Sequence, residues 1–364
     1  MKKALKLSLS LAMTVACSWY AFRGTNWHDQ WESLRAANYW WLIPYVAVLL
    51  VVHLLRTLRW GALLSGLEKV RFRQLNEASA IGFMMLIVLP LRLGEFARPF
   101  LIANRSGIRR SPAMATVVVE RIADGILVAA LLRALLFFIP KDAPGYATVS
   151  WAGNIMFLIF AGGAAFLVFA LWQEKRAVRF IQVVLGRSPK LAAYGVRMVE
   201  GFVGALRRVP SRRELAKFFG YTVVYWAVNG AGMAMMAFAF EAPAAGVAEP
   251  LRISLFQAYA IMCTLVVAVM IPSAPGMVGT FQAGIRFGLG LFLPAALVNG
   301  KGLAYANVVW LCQTGQQVGL GLLLMFLGNL SFKEIAGGLT HESEAERAEP
   351  QPELRVADAA ERSA

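Results

Sequence analysis

Glu120, Arg121 and Asp124 stand in Val119-Glu120-Arg121-Ile122-Ala123-Asp124, inside an otherwise apolar run. If that run is a helix, Glu120 and Asp124 are i,i+4 and share a face, while Arg121 lies i,i+3 from Asp124 and can neutralise it. Charges in such a place cost several kcal/mol unless paired or hydrated, so they point to an ion-pair staple, a polar-ligand site, or both. As a staple, Glu120 would reach Arg92 or Arg98. A second pair of features is Pro90-Leu91-Arg92-Leu93-Gly94-Glu95-Phe96 and Pro275-Gly276-Met277-Val278-Gly279-Thr280-Phe281, both Pro-x-x-x-Gly-x-Phe. Each follows an apolar stretch. A helix broken at such a point exposes unpaired N–H groups and a positive dipole end, which must be buried in protein or face a polar ligand. The alternative for both is a pair of kinks that merely aid packing. Asn307, Gln313, Thr314, Gln316 and Gln317 add a polar stripe that can bond between helices. Arg286 is a lone cation for a phosphate or a helix C-terminus. Neither a P-loop, nor a nucleophile elbow, nor a metal-spaced cluster is present. No enzyme active site, cofactor or metal is therefore expected.

The elements that must carry these residues are membrane helices. The chain of 364 residues is 58% hydrophobic and 16% charged, with a mean hydropathy of +0.58, whereas soluble domains carry about 25% charge. Six apolar segments are long enough to cross a bilayer: roughly 4–22, 39–58, 112–139, 151–172, 219–240 and 304–328. The first is read as an uncleaved helix in preference to a signal peptide. Two more, near 76–91 and 253–293, are interrupted by Pro and Gly. Were 76–91 a full crossing, Arg92, Arg98, Arg105, Arg109 and Arg110 would face outward, against the positive-inside bias. Both are therefore read as re-entrant hairpins entering from opposite sides. The expected fold is an all-α polytopic membrane protein: about six full transmembrane helices plus two re-entrant broken-helix hairpins in an inverted repeat, eight apolar segments in all. Paired interrupted segments of this kind point to a transporter site near the midplane.

On that topology 25 basic residues lie on the cytoplasmic side and five outside, with both termini cytoplasmic. Residues 173–218 hold eleven basic and three acidic residues with apolar positions at helical spacing, an amphipathic connector on the cytoplasmic membrane surface. Residues 1–330 form the transmembrane domain, and 331–364 an acidic tail read as disordered. The net charge of +15 is thus a topology signal. With no nucleic-acid motif beside it, nucleic acid is not an expected partner.

Four blocks then carry a resemblance. Arg56-x-x-Arg59-Trp60-x-x-Leu63-Leu64, Leu89-Pro90-Leu91-Arg92-Leu93-Gly94-Glu95-Phe96-Ala97-Arg98-Pro99, Thr116 to Asp124, and Pro275-Gly276-x-x-Gly279-x-x-Gln282 resemble the transmembrane region of lysylphosphatidylglycerol synthases. That region also occurs as free-standing flippase-like membrane proteins. The likeness covers about 4–330. In that family the last block usually reads Pro-Gly-Gly-x-Gly-x-x-Glu; here Met277 replaces the second Gly and Gln282 the Glu, which weakens any carboxylate role there. The segment after 330 is too short for the synthases' aminoacyl-transferase domain.

The resemblance implies a translocator of the bacterial cytoplasmic membrane that binds an anionic or polar-headgroup lipid. Arg92, Arg98 and Arg121 would contact phosphate. Gly94 and Gly279, with Pro275, Gly276 and Gln282, would shape the two hairpin tips. Glu95, Glu120 and Asp124 would balance charge and could carry a coupled proton. The alternative is an accessory membrane subunit or enzyme in lipid or polyisoprenoid-glycan synthesis, with a lipid-synthesis enzyme as partner.

Overall fold

The computed structural model describes residues 15–89, 94–186, 188, 192–193, 195–196, 199–200, 203–204, 211–243, 249–271 and 275–328. Arg92 and the 331–364 tail lie outside the described residues, as do much of the 173–218 connector and most of the 4–22 span. Every regular element among the described residues is helical.

A helix whose described part is 15–22 (α1) leads into an amphipathic helix, Trp27–Ala36 (α2), capped by the Asn26 side chain. Leu42–Leu64 (α3) follows. Then come Phe72–Val88 (α4) and Ala97–Arg105 (α5), and the long helices Arg110–Leu136 (α6) and Tyr146–Trp172 (α7). Glu174–Leu185 (α8) opens the connector. The second half repeats the sequence of shapes: Arg212–Ala237 (α9), Leu255–Val269 (α10), Thr280–Gly290 (α11), and Ala295–Leu327 (α12) with a π-turn at Val298–Gly302.

Among the described residues four helices are long and apolar enough to cross a membrane: Tyr39–Leu64, Tyr146–Trp172, Arg212–Phe240 and Ala295–Leu327. They include four of the six expected spans, each longer than the hydropathy alone indicates. The 39–58 span continues to Leu64 because the Arg59 side chain is buried within the protein and not left at a polar boundary. The 112–139 span is a helix of 27 residues, but Glu120, Arg121 and Asp124 interrupt its apolar character.

Both interrupted segments are antiparallel helical hairpins. In the first, the Gln74 side chain donates to the Arg105 carbonyl, Arg105 pairs with Glu77, and Gly94 lies against the Met85–Leu86 backbone. A Cβ on Gly94 would stand 2.1 Å from the Leu86 nitrogen, so the tip closes only around glycine. In the second hairpin Gly284 also packs closely, where a Cβ would stand 2.7 Å from the Leu265 Cα of α10. The halves interlock: α3 packs along α9, α4 along α12, and α10 against α6. The main apolar core runs through α3, α6, α9, α10, α11 and α12, and a second core joins α3 to the first hairpin and α6.

Candidate functional site

The helical repeat accounts for the site. On α6, Thr116, Glu120, Asp124 and Val128 recur every fourth residue and form its buried face. On α3, His53 and Arg56 are three apart, as are Arg56 and Arg59, which places all three on the side toward α4, α6 and α9. Arg98 comes from α5 of the first hairpin.

Arg59 is fully buried and is the hub of the cluster. Its Nε donates to Glu120 Oε1 at 3.1 Å, and its Nη1 and Nη2 donate to the two Asp124 oxygens at 2.5 and 3.0 Å. Arg98 Nη1 donates to the other Glu120 oxygen at 2.7 Å. Arg121 Nη2 stands 3.6 Å from Asp124 Oδ2. Trp226 on α9 donates its indole N–H to Asp124 Oδ1 at 3.1 Å. Glu120 thus staples α6 to both α3 and the first hairpin. It uses Arg98, one of the two partners the sequence offered. A bidentate guanidinium–carboxylate pair is the strongest form such a bond takes.

Two of the guanidiniums also lie against rings. The Arg98 guanidinium lies 4.2 Å from the Trp60 ring centroid, and that of Arg56 lies 3.7 Å from Phe83, within cation–π range. Among the described residues no carboxylate lies within ion-pair reach of Arg56. The Nε atoms of Arg56, Arg98 and Arg121, and Nη2 of Arg98, are buried with no hydrogen-bond partner. Three guanidiniums therefore surround Glu120 and Asp124, with Arg56 beside them and Glu95 close enough to act on Arg121. Among the described residues these four cations face three carboxylates. Unsatisfied buried N–H groups of a charged side chain are costly, and an incoming anion relieves that cost.

A cavity of about 160 Å³ opens beside this cluster, lined by Arg56, Arg121, Asp124 and His53 on one side and by Gln313, Thr314, Gln316 and Gln317 of α12 on another. Phe83 and Leu86 reach it from α4, and Gly276, Met277 and Phe281 from the second hairpin; the Pro275–Met277 turn itself packs on α4. The two broken segments therefore meet across one cavity of mixed lining, its polar groups joined by apolar side chains such as Leu49, Val52, Met262 and Val266. Its volume falls below the roughly 300–1,000 Å³ of a site that encloses a whole small ligand. It suits a phosphate-sized group with water.

The sequence-assigned residues divide by position. Arg121, Asp124 and Gly276 line the cavity. Glu120 and Arg98 stand behind it in the ion-pair network, while Gly94 closes its own hairpin. Glu95 shares an apolar groove with Arg121. Pro275 is exposed. Gly279, at φ +83°, packs on Ser18 of α1. Gln282 is a cap: its Oε1 accepts from Gly279 N–H at 2.8 Å and its amide donates to Asn307 at 3.2 Å. Arg286 takes the helix-terminus alternative, donating to the carbonyls of Tyr20, Ala21 and Arg23 at 2.7–2.9 Å. Arg56, Arg59, His53, Tyr225 and Trp226 belong to the site and were not selected from the sequence. The available signal is the i,i+3 pair in Arg56-x-x-Arg59-Trp60, which equally matches the basic flank of a cytoplasmic boundary.

A bundle of long apolar helices around a buried charge cluster, with two helical hairpins meeting at a cavity that the cluster lines, defines a multi-pass integral membrane protein. Residues 5–314 match the family described as lysylphosphatidylglycerol synthase TM region. The chain belongs to that family, which places it among integral membrane proteins of lipid metabolism. Comparison with curated proteins and with solved structures found no match.

Proposed function

We propose that the protein translocates an anionic or polar-headgroup lipid across the bacterial cytoplasmic membrane, with the headgroup passing through the central cavity. The observation that carries this reading is the Arg56 guanidinium, which among the described residues has no carboxylate partner and lines the central cavity beside Arg121 with its own unsatisfied N–H. A phosphate there gains charge-assisted bonds from two cations while Glu120 and Asp124 hold the rest of the cluster neutral. The acyl chains remain in lipid, so only the headgroup needs a polar path.

The exchange of partners between halves, α4 on α12 and α10 on α6, supports an inverted repeat. In that arrangement the hairpins enter from opposite faces and rock against one another around a fixed site. The sign of the basic-residue distribution supports cytoplasmic termini.

Leaflet-resolved assay of fluorescent phospholipids in proteoliposomes tests the proposal. Protein-dependent exchange between leaflets that falls at least tenfold in Arg56→Gln is the expected result. Exchange equal to that of protein-free vesicles, with a lipid species missing from cells lacking the protein, favours the synthetic alternative instead.

A further inference from the structure

A second hollow, of about 630 Å³, lies on the outside of the bundle between α7, the end of α10 and the tip of the first hairpin. Its wall on α7 is built from Trp151, Ala152, Ile155 and Ile159, with Val267 and Ile271 of the second hairpin opposite. Trp151, Ile155 and Ile159 repeat at i, i+4 and i+8, with Ala152, Met156 and Phe160 in the adjacent row of the same face, and the wall runs about 13 Å along the axis. That is close to the hydrocarbon depth of one leaflet, about 15 Å. Apart from Glu95 and Arg121 at one end, the lining is apolar.

Arg121 and Met270 line both this groove and the central cavity. The two spaces are thus separated by little more than those side chains. An apolar trough of one-leaflet length that ends on a cation with an unsatisfied buried N–H fits an amphiphile with a negative head and a straight chain. A polyisoprenyl chain is several times longer than the trough.

We infer that this groove is the acyl-chain subsite of the transport path, holding one chain of an anionic glycerophospholipid while its phosphate passes between Arg121 and Met270 into the central cavity. The inference rests on the proposed function and adds the side of the bundle from which the lipid enters. The α6–α7 pair forms its back wall. Gly125 of α6 has no side chain, and a Cβ there would strike the Phe160 ring at 2.3 Å. Phe160 can therefore seat flat against α6 beside Asp124 and leave the trough open.

The test uses full-length protein in phosphatidylcholine vesicles doped with one of two photoactivatable phosphatidylglycerols, labelled on an acyl chain or on the headgroup, followed by peptide mapping. The chain probe is expected to concentrate on 151–160 and 267–271, and the headgroup probe on cavity-lining peptides of α3 and α4. Ala152→Trp fills the trough and should cut chain labelling there at least fivefold. Labelling on the exposed Val223–Val224 face of α9 should stay unchanged, and Ile155→Trp serves as a second filling variant. Uniform chain labelling over all lipid-facing helices overturns the inference, as does full labelling of folded filled variants or competition by polyisoprenyl phosphate but not by phosphatidylglycerol. Headgroup labelling in the cavity without chain labelling in the groove removes this inference alone. Loss of both removes the proposed function with it.

Discussion

Arg59 and Asp124 form a bidentate ion pair across 65 residues of sequence, with Nη1 and Nη2 of the guanidinium on the two carboxylate oxygens and neither side chain more than 5% exposed. The pair joins the C-terminal third of α3 to the middle of α6. The third arginine nitrogen, Nε, is committed to Glu120. Each of the three guanidinium nitrogens therefore has a carboxylate partner within the protein interior. Such a geometry repays the desolvation of the ions only while every member is present.

Removing one member leaves the others charged, buried and unpaired. Arg59→Ala is expected to destabilise the fold by about 3–5 kcal/mol, and Arg59→Lys by less, since the ammonium retains charge but not the fork. Thermal melting in detergent would measure both. The double variant Arg59→Leu with Asp124→Leu should be less damaging than the sum of its singles. Additive losses would mean that the two residues do not depend on each other.

The charged cluster was partly legible in the sequence, for a physical reason. Glu120, Arg121 and Asp124 stand out because an apolar helix has no other use for three ionisable groups. Arg56 and Arg59 did not, because arginines near the end of an apolar run match the basic flank that marks a cytoplasmic boundary. Only packing shows that α3 continues past them and that α5, α6 and α9 enclose them. Trp226 and Tyr225 read as ordinary span residues until the fold places them against Asp124 and Arg59. The hairpin glycines were legible as close-approach positions. What they approach was not: Gly94 meets its own hairpin and Gly279 meets α1, a matter of tertiary arrangement. Gln282 in place of the family's Glu keeps the acceptor that caps Gly279 and adds a donor for Asn307 that a carboxylate lacks.

Met277, where the family pattern has glycine, adopts φ +54°, among the described residues the only side-chain-bearing residue with positive φ. A left-handed conformation costs a side-chain-bearing residue on the order of 1 kcal/mol. Met277→Gly is expected to recover up to that amount, read as a small rise in melting temperature. It also removes a side chain from the cavity wall, so faster movement of lipids with larger headgroups should accompany it. A fall in melting temperature would show that the packing of Met277 outweighs its strain.

Among the described residues three contacts join α1 to α11: Gly279 on Ser18, Arg286 on the last carbonyls of α1, and Tyr20 stacked on Phe287 at 4.5 Å. Arg286→Ala removes a cation from a helix C-terminus, a loss of about 1–2 kcal/mol in a half-buried setting. Gly279→Ala adds a Cβ 2.2 Å from Ser18 Oγ at a backbone angle that disfavours it. Both should speed amide hydrogen exchange across 15–24, the glycine variant more strongly. Unchanged exchange there would show that α1 is held by other contacts.

Arg56 separates stability from function. Among the described residues it has no carboxylate partner, and ring contacts to Phe83 and Tyr225 replace one. Those contacts offset part of the cost of its partial burial, and no ion pair is lost when its charge is removed. Arg56→Gln should leave the melting temperature equal or slightly raised, in contrast to Arg59→Ala. The same change takes away the cation that faces the cavity, so binding of anionic lipid should weaken by about tenfold, equivalent to 1.4 kcal/mol. Titrating detergent-solubilised protein with a short-chain anionic phospholipid, with a zwitterionic one as control, measures the difference. Equal loss for both lipids would mean that Arg56 shapes the cavity and does not read the charge. A melting temperature that falls as far as in Arg59→Ala would place Arg56 within the structural network after all.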